Sequence, residues 1–81
     1  MINISSCEFA EFEKYMTSQY GEKQFKDGYE LIRQNRNIIY QDGGEEMLCE
    51  MLAPLGFADI DQLKGFINFC TTYLLVQNME I

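Results

Sequence analysis

Residues 65–78 read GFINFCTTYLLVQN, and no side chain among them carries a charge. The uncharged run continues through Met79, flanked by Lys64 and Glu80, in an 81-residue chain whose formal net charge is −7. Three structures would account for it: a membrane span, a core helix, or a helix with one face for the core and another for a partner. A span needs about 20 mostly apolar residues. This run is shorter and contains Asn68, Thr71, Thr72, Gln77 and Asn78, so no membrane insertion is expected. The fold therefore turns on how a soluble chain covers such a helix.

Working outward, the chain has room for one domain, and its core must be thin, since a chain this short buries only about 60% of its unfolded surface. Six basic residues stand against thirteen acidic ones. Nucleic-acid binding needs clustered Lys and Arg to neutralise phosphates, and an anionic membrane surface needs the same; neither partner is expected. Histidine is absent, and Cys7, Cys49 and Cys70 are widely spaced. A structural zinc site would lack ligands, so no metal or cofactor is expected. Free cysteines in apolar surroundings act as small core residues, which suits a reducing compartment, cytoplasm or nucleus. No basic residue precedes Lys14 and no long apolar stretch opens the chain, so no secretory signal is expected.

Apolar spacing predicts four helices. The first spans about residues 6–20, with Ser5 or Ser6 as its cap and Phe9, Phe12 and Met16 on one face. Tyr15 and Tyr20 flank that face. Gly21 breaks the chain, and a second helix follows over about 22–36 with Phe25, Tyr29 and Ile32 as its stripe. Glu11 with Lys14, and Glu22 with Lys26, have pairing spacing. Gly28 either weakens the second helix by about 1 kcal/mol relative to alanine or lets another helix approach closely. Residues 37–44 form a connection in which Ile38, Ile39 and Tyr40 pack as a loop or as the frayed end of the second helix. Asp42 and Glu45 have capping-box spacing, and a third helix follows to about Leu52, carrying Met47, Leu48, Met51 and Leu52. Pro54 and Gly56 end it. Asp59 and Gln62 repeat the start signal, and the fourth helix covers about 60–79.

At 100° per residue, the fourth helix has two apolar faces. Ile60, Leu63, Phe66, Ile67, Cys70, Tyr73 and Leu74 form a broad core stripe. Gly65, Phe69, Thr72, Val76 and Met79 form a second set, whose spacing from Phe69 onward is that of a helix-packing seam. Leu75 lies further round, near Asn68. Two readings stay open. The other helices enclose the second face, or Phe69, Val76 and Met79, with Leu75 as a fourth candidate, face a partner protein or a second copy.

Catalytic chemistry is not indicated. The commonest general base is missing, no Gly-rich phosphate loop occurs, and neither Asp42-x-Gly-Gly nor Asp59-x-Asp61 matches a calcium loop. Cys49 and Cys70 have no basic neighbour to activate them. Glu45 with Glu46, and Asp59 with Asp61, are explained by their places at helix starts. Residues 42–61 hold six acidic residues and no basic one. Such a surface serves intramolecular attraction and solubility, or steers a basic partner segment.

Three stretches carry a family resemblance: FEKYMTSQYGEKQFKDGYELI (12–32), GGEEMLCEMLAPLG (43–56) and LKGFINFCTTYLLV (63–76). Together they resemble the C-terminal, non-catalytic helical domain of NIMA-related kinases, the Nek family, over roughly residues 9–76. The features shared are a helix break at Tyr20-Gly21, a Phe25–Tyr29 stripe, a short acidic helix ending in Gly56, and a closing helix carrying Cys70. Tyrosine stands where leucine is common before the glycine, and Pro54 interrupts the third helix. The kinase catalytic segments are absent. The resemblance implies a docking module, recruited to cilia or basal bodies through the helical C-terminus of a leucine-rich-repeat ciliary protein.

The expectation is thus an all-α, single-domain bundle of about four helices, non-catalytic, which binds another protein or closes a homodimer. Its expected contact residues are Phe69, Val76, Met79 and Leu75.

Overall fold

A computed structural model describes residues 4 and 6–79, and side chains as far as Val76. Four α-helices follow in order: α1 (Phe9–Tyr20), α2 (Glu22–Gln34), α3 (Gly44–Leu52) and α4 (Ile60–Met79). Short 3-10 segments, Arg36–Tyr40 and Ala53–Leu55, lie on either side of α3. No strand occurs among the described residues. The all-α expectation is met, and the bounds of α4 agree with the spacing argument.

Local chemistry explains most of the ends. Gly21 closes α1 and opens α2 at once, at φ 99° and ψ 150°, a region of the backbone map that is essentially glycine's alone. Its N–H bonds to the Thr17 carbonyl (2.9 Å) and its carbonyl accepts from Phe25 N–H (3.0 Å). α2 stops at Gln34, two residues before the expected end, because Asn35 turns back on it. The Asn35 backbone N–H and side-chain amide both donate to the Leu31 carbonyl, at 3.1 and 2.9 Å. The chain then tightens into 3-10 geometry through Ile38–Tyr40, the residues expected to pack as a loop or a frayed end.

Two expected caps are not formed. α1 starts at Phe9 with Glu8 before it and no side-chain cap; Ser6 therefore plays no such part, and Ser5 lies outside the described residues. α3 starts behind Gly43, in the left-handed region, again without a side-chain cap. The turn closed by Gly44 N–H on the Gln41 carbonyl (3.0 Å) places Asp42 outside the helix start, so Asp42 and Glu45 make no capping box. At α4 the signal holds. Asp59 Oδ1 accepts the Gln62 N–H at 2.8 Å, and Gln62 Oε1 accepts from Ala58 N–H at 3.4 Å.

One apolar cluster joins all four helices: Phe12 and Met16 from α1, Phe25 and Ile32 from α2, Leu48 and Leu52 from α3, and six residues of α4. α2 packs against each of the other helices at α1, α3 and α4, while α4 lies on α2, α3 and the first 3-10 segment. α1 and α4 meet through rings in descending order. Phe12 stacks on Tyr73 (4.3 Å, 5°), Tyr15 meets Phe69 edge-on (5.8 Å), and Tyr20 meets Phe66 edge-on (5.1 Å). This ladder makes the two helices antiparallel. Such ring pairs add about 0.5–1.5 kcal/mol each beyond their buried area. Gly28 is where α4 comes closest to α2, with the Phe66 ring edge against its backbone; close approach is the use of that glycine.

Not every predicted stripe residue is inside. Ile60, placed on the core face by its angle, is 55% exposed, and Phe9 is 42% exposed. Both sit in the first turn of their helices, beyond the reach of neighbouring elements on one side. Phe9 still leans on Tyr29 (5.5 Å) and Tyr73 (6.0 Å).

Candidate functional site

The candidate residues of α4 divide between two sides of the helix. Leu63, Phe66, Ile67, Cys70, Tyr73 and Leu74 are buried. Across the helix, Gly65, Phe69, Thr72 and Val76 are half-buried. That face is neither enclosed nor bare. α1 supplies its cover: the Tyr15 ring edge lies on Phe69, and the Tyr20 hydroxyl lies 3.2 Å from where a Cβ on Gly65 would be. Along α1, Glu11, Lys14, Tyr15 and Ser18 line an open concavity of about 370 Å³ beside this contact.

Phe69 and Val76 therefore lie on one half-covered surface with Tyr15 at its border. Leu75 is half-buried too, but its angle puts it on the flank toward Asn68 and Thr71. Met79 belongs to α4 by its backbone, and its side chain lies outside the described residues.

Large apolar side chains are also exposed elsewhere, at Tyr40 (63%) and Met47 (42%). Nothing in the spacing marked either: Met47 falls within the apolar set of α3, and Tyr40 sits in a segment without helical periodicity. The paired charges drawn from sequence are likewise rearranged. The ion pair formed among the described residues is Arg33–Glu30, at 2.6 Å on the surface of α2, while Glu11–Lys14 and Glu22–Lys26 do not close. The Arg33 hydrogen bond holds the Glu30 carboxyl below its usual range.

Thiol chemistry is muted by burial. Cys70 is fully enclosed, and desolvation pushes its pKa well up. Cys7 and Cys49 are half-buried and free; desolvation raises both, with neighbouring Glu11 and Glu45 adding to the effect. A thiol shifted upward is a poorer nucleophile at neutral pH. Among the described residues, no three Cys, Asp or Glu side chains converge to hold a metal. No helix there is long and apolar enough to cross a membrane. Compared with known proteins, the chain matches no family model, no curated protein and no solved structure.

Proposed function

We propose that the chain is a non-catalytic protein-docking domain whose contact surface is the second face of α4, with Phe69 and Val76 as apolar anchors. The observation that supports this reading is coverage. The core stripe of α4 is closed by three neighbouring helices, whereas the Phe69–Val76 stripe stays half-buried, with the Tyr15 ring of α1 against Phe69. A partner helix laid along that stripe would continue the ring ladder begun by Tyr15. Apolar anchors in a groove supply affinity, and polar groups at the rim set orientation. Met79 extends the stripe in sequence.

The resemblance to NIMA-related kinases supports a more specific proposal. The chain would be the tail of a ciliary kinase of that family and would bind the helical C-terminus of a leucine-rich-repeat ciliary protein in the cytoplasm, at cilia or basal bodies. This part rests on the spacing of apolar residues and two glycines alone.

The test is a fluorescence-anisotropy titration of that helical segment with the wild-type chain and with F69Q/V76Q. Saturable binding by the wild type and a loss of at least about tenfold in the double variant, at unchanged far-ultraviolet circular dichroism, supports the reading. Equal binding by both removes this face from the interface. Absence of binding by the wild type removes the proposed ciliary partner. Light scattering across dilution then tests the second copy, since a homodimer built on this stripe loses mass in F69Q/V76Q.

A further inference from the structure

A cleft of about 250 Å³ opens between the first 3-10 segment, α3 and α4. It lies roughly 140° round α4 from Phe69 and Val76. Ile39, Leu48 and Ile67 line it with apolar surface, and Leu48 and Ile67 are almost wholly buried, at 1% and 2% exposure. They form its floor. Glu45, Asn68 and Thr71 complete the lining.

The polar lining is rich in acceptors. The Glu45 carboxylate makes no ion pair and no hydrogen bond among the described residues. Thr71 spends its hydroxyl proton on the Asn68 carbonyl at 3.1 Å, which leaves its oxygen free to accept. The Asn68 side-chain oxygen is a further acceptor.

Charge on this side is predominantly negative. Residues 1–41 carry six acidic and five basic side chains, whereas residues 42–81 carry seven acidic and one basic. Nearly all the net charge of the molecule thus belongs to the half that contains α3 and α4. α3 itself holds Glu45, Glu46 and Glu50 without a basic residue. Lys64, one turn before Asn68, is the single basic side chain of that half. It offsets one carboxylate and leaves the rest.

We propose that this cleft receives an arginine side chain from a basic segment of a partner protein. The aliphatic stem lies on Ile39, Leu48 and Ile67, and the guanidinium meets the Glu45 carboxylate while Asn68 and Thr71 accept its remaining N–H groups. Arginine fits better than lysine because its planar fork offers five donors and its charge is weakly hydrated. The apolar walls favour a long hydrocarbon stem over a small cation. Because the cleft and the Phe69–Val76 stripe occupy different faces, this inference stands apart from the docking proposal above.

The experiment uses the ¹⁵N-labelled chain and the peptide Ac-Ala-Lys-Ala-Arg-Ala-Lys-Ala-NH₂, with siblings carrying alanine or lysine at the centre. The arginine peptide is expected to shift the amides of Ile39, Glu45, Asn68 and Thr71 saturably, with a Kd on the order of 1 mM. Glu45→Gln should weaken it by about tenfold, while Glu13→Gln, on the exposed side of α1, should leave it unchanged. The central-alanine peptide should bind at least about fivefold more weakly than the arginine peptide. Equal weakening by Glu13→Gln and Glu45→Gln would reduce the effect to diffuse attraction and overturn the proposal. So would shifts that do not saturate, or alanine or lysine peptides that bind as tightly as the arginine one.

Discussion

The edge of the Phe66 ring rests on the backbone of Gly28: a Cβ built on Gly28 would stand 2.7 Å from Cε1 and 2.8 Å from Cζ of Phe66, and 3.4 Å from Cδ2 of Leu52. Helix propensity alone favours alanine at this position by about 1 kcal/mol, yet Phe66 is fully buried and cannot swing clear. Overpacking of this kind costs roughly 1–3 kcal/mol. Gly28→Ala is therefore expected to destabilise the domain by up to about 2 kcal/mol in urea unfolding once the propensity gain is set against the overpacking. A variant more stable than the parent by the full propensity gain would mean that α2 and α4 lie further apart than described.

Two phenylalanines one turn apart on α4 should differ sharply. Phe66 is fully enclosed and Phe69 is half-buried under Tyr15. Phe66→Ala should cost about 3–5 kcal/mol, and Phe69→Ala less, about 1–2 kcal/mol, because part of its surface already meets water. Chemical denaturation of both variants measures the ratio. Equal costs would show that Phe69 belongs to the core and would take it from the contact surface.

Alkaline conditions should erode stability in a defined order. Burial raises the Cys70 thiol in the folded state, so its proton is kept there and lost from the unfolded chain above the ordinary thiol value of about 8.5. The unfolded state then binds fewer protons than the native state, and stability falls as pH rises. The Tyr29 phenol is raised to about 12, first by desolvation and then by Tyr73 and Cys70, which adds a second decline above about pH 10. Cys70→Ala should lower overall stability but flatten the slope between about pH 8.5 and 10. Some slope remains, because Cys7 and Cys49 are raised too. Urea midpoints across pH read this directly, and an unchanged slope in Cys70→Ala would refute it.

Asp42 and Asp59 look alike in sequence and should behave differently when truncated. Asp59 accepts the Gln62 N–H at 2.8 Å, so Asp59→Ala should cost about 1 kcal/mol. Asp42 makes no cap at α3, and Asp42→Ala should stay within about 0.5 kcal/mol of the parent. Thermal melts of the two variants provide the comparison, and a cost at Asp42 equal to that at Asp59 would restore the capping box.

Gly21 joins α1 to α2 at φ 99° and ψ 150°, where any side chain is strained. Gly21→Ala is expected to cost about 1–3 kcal/mol. If the variant unfolds at the parent's temperature, the α1–α2 corner has some other geometry.

Much of the fold is legible in the residues because its causes are local. Gly21, the Asp59 cap and the Pro54-Gly56 stop act within one helical turn, and the apolar angles of Leu63, Phe66, Ile67, Cys70, Tyr73 and Leu74 follow from 3.6 residues per turn. Where local signals competed, sequence reading slipped. Asp42 has the right spacing for a cap, but the turn at Gln41–Gly44 moved the helix start past it. Ile60 and Phe9 have the right angles for the core, but they open their helices and each stays largely exposed, although Phe9 still meets Tyr29 and Tyr73.

The sequence by itself determined four helices, a two-faced α4 and a chain whose charge collects in its second half. Tertiary structure decided what covers what. It laid Tyr15 over Phe69 and left a cleft where Ile39 meets Leu48 and Ile67. The physical reason is that periodicity fixes a side chain's angle about its own helix axis. Burial depends on how far neighbouring helices extend and how closely a residue such as Gly28 lets them approach, and those are properties of the packed whole.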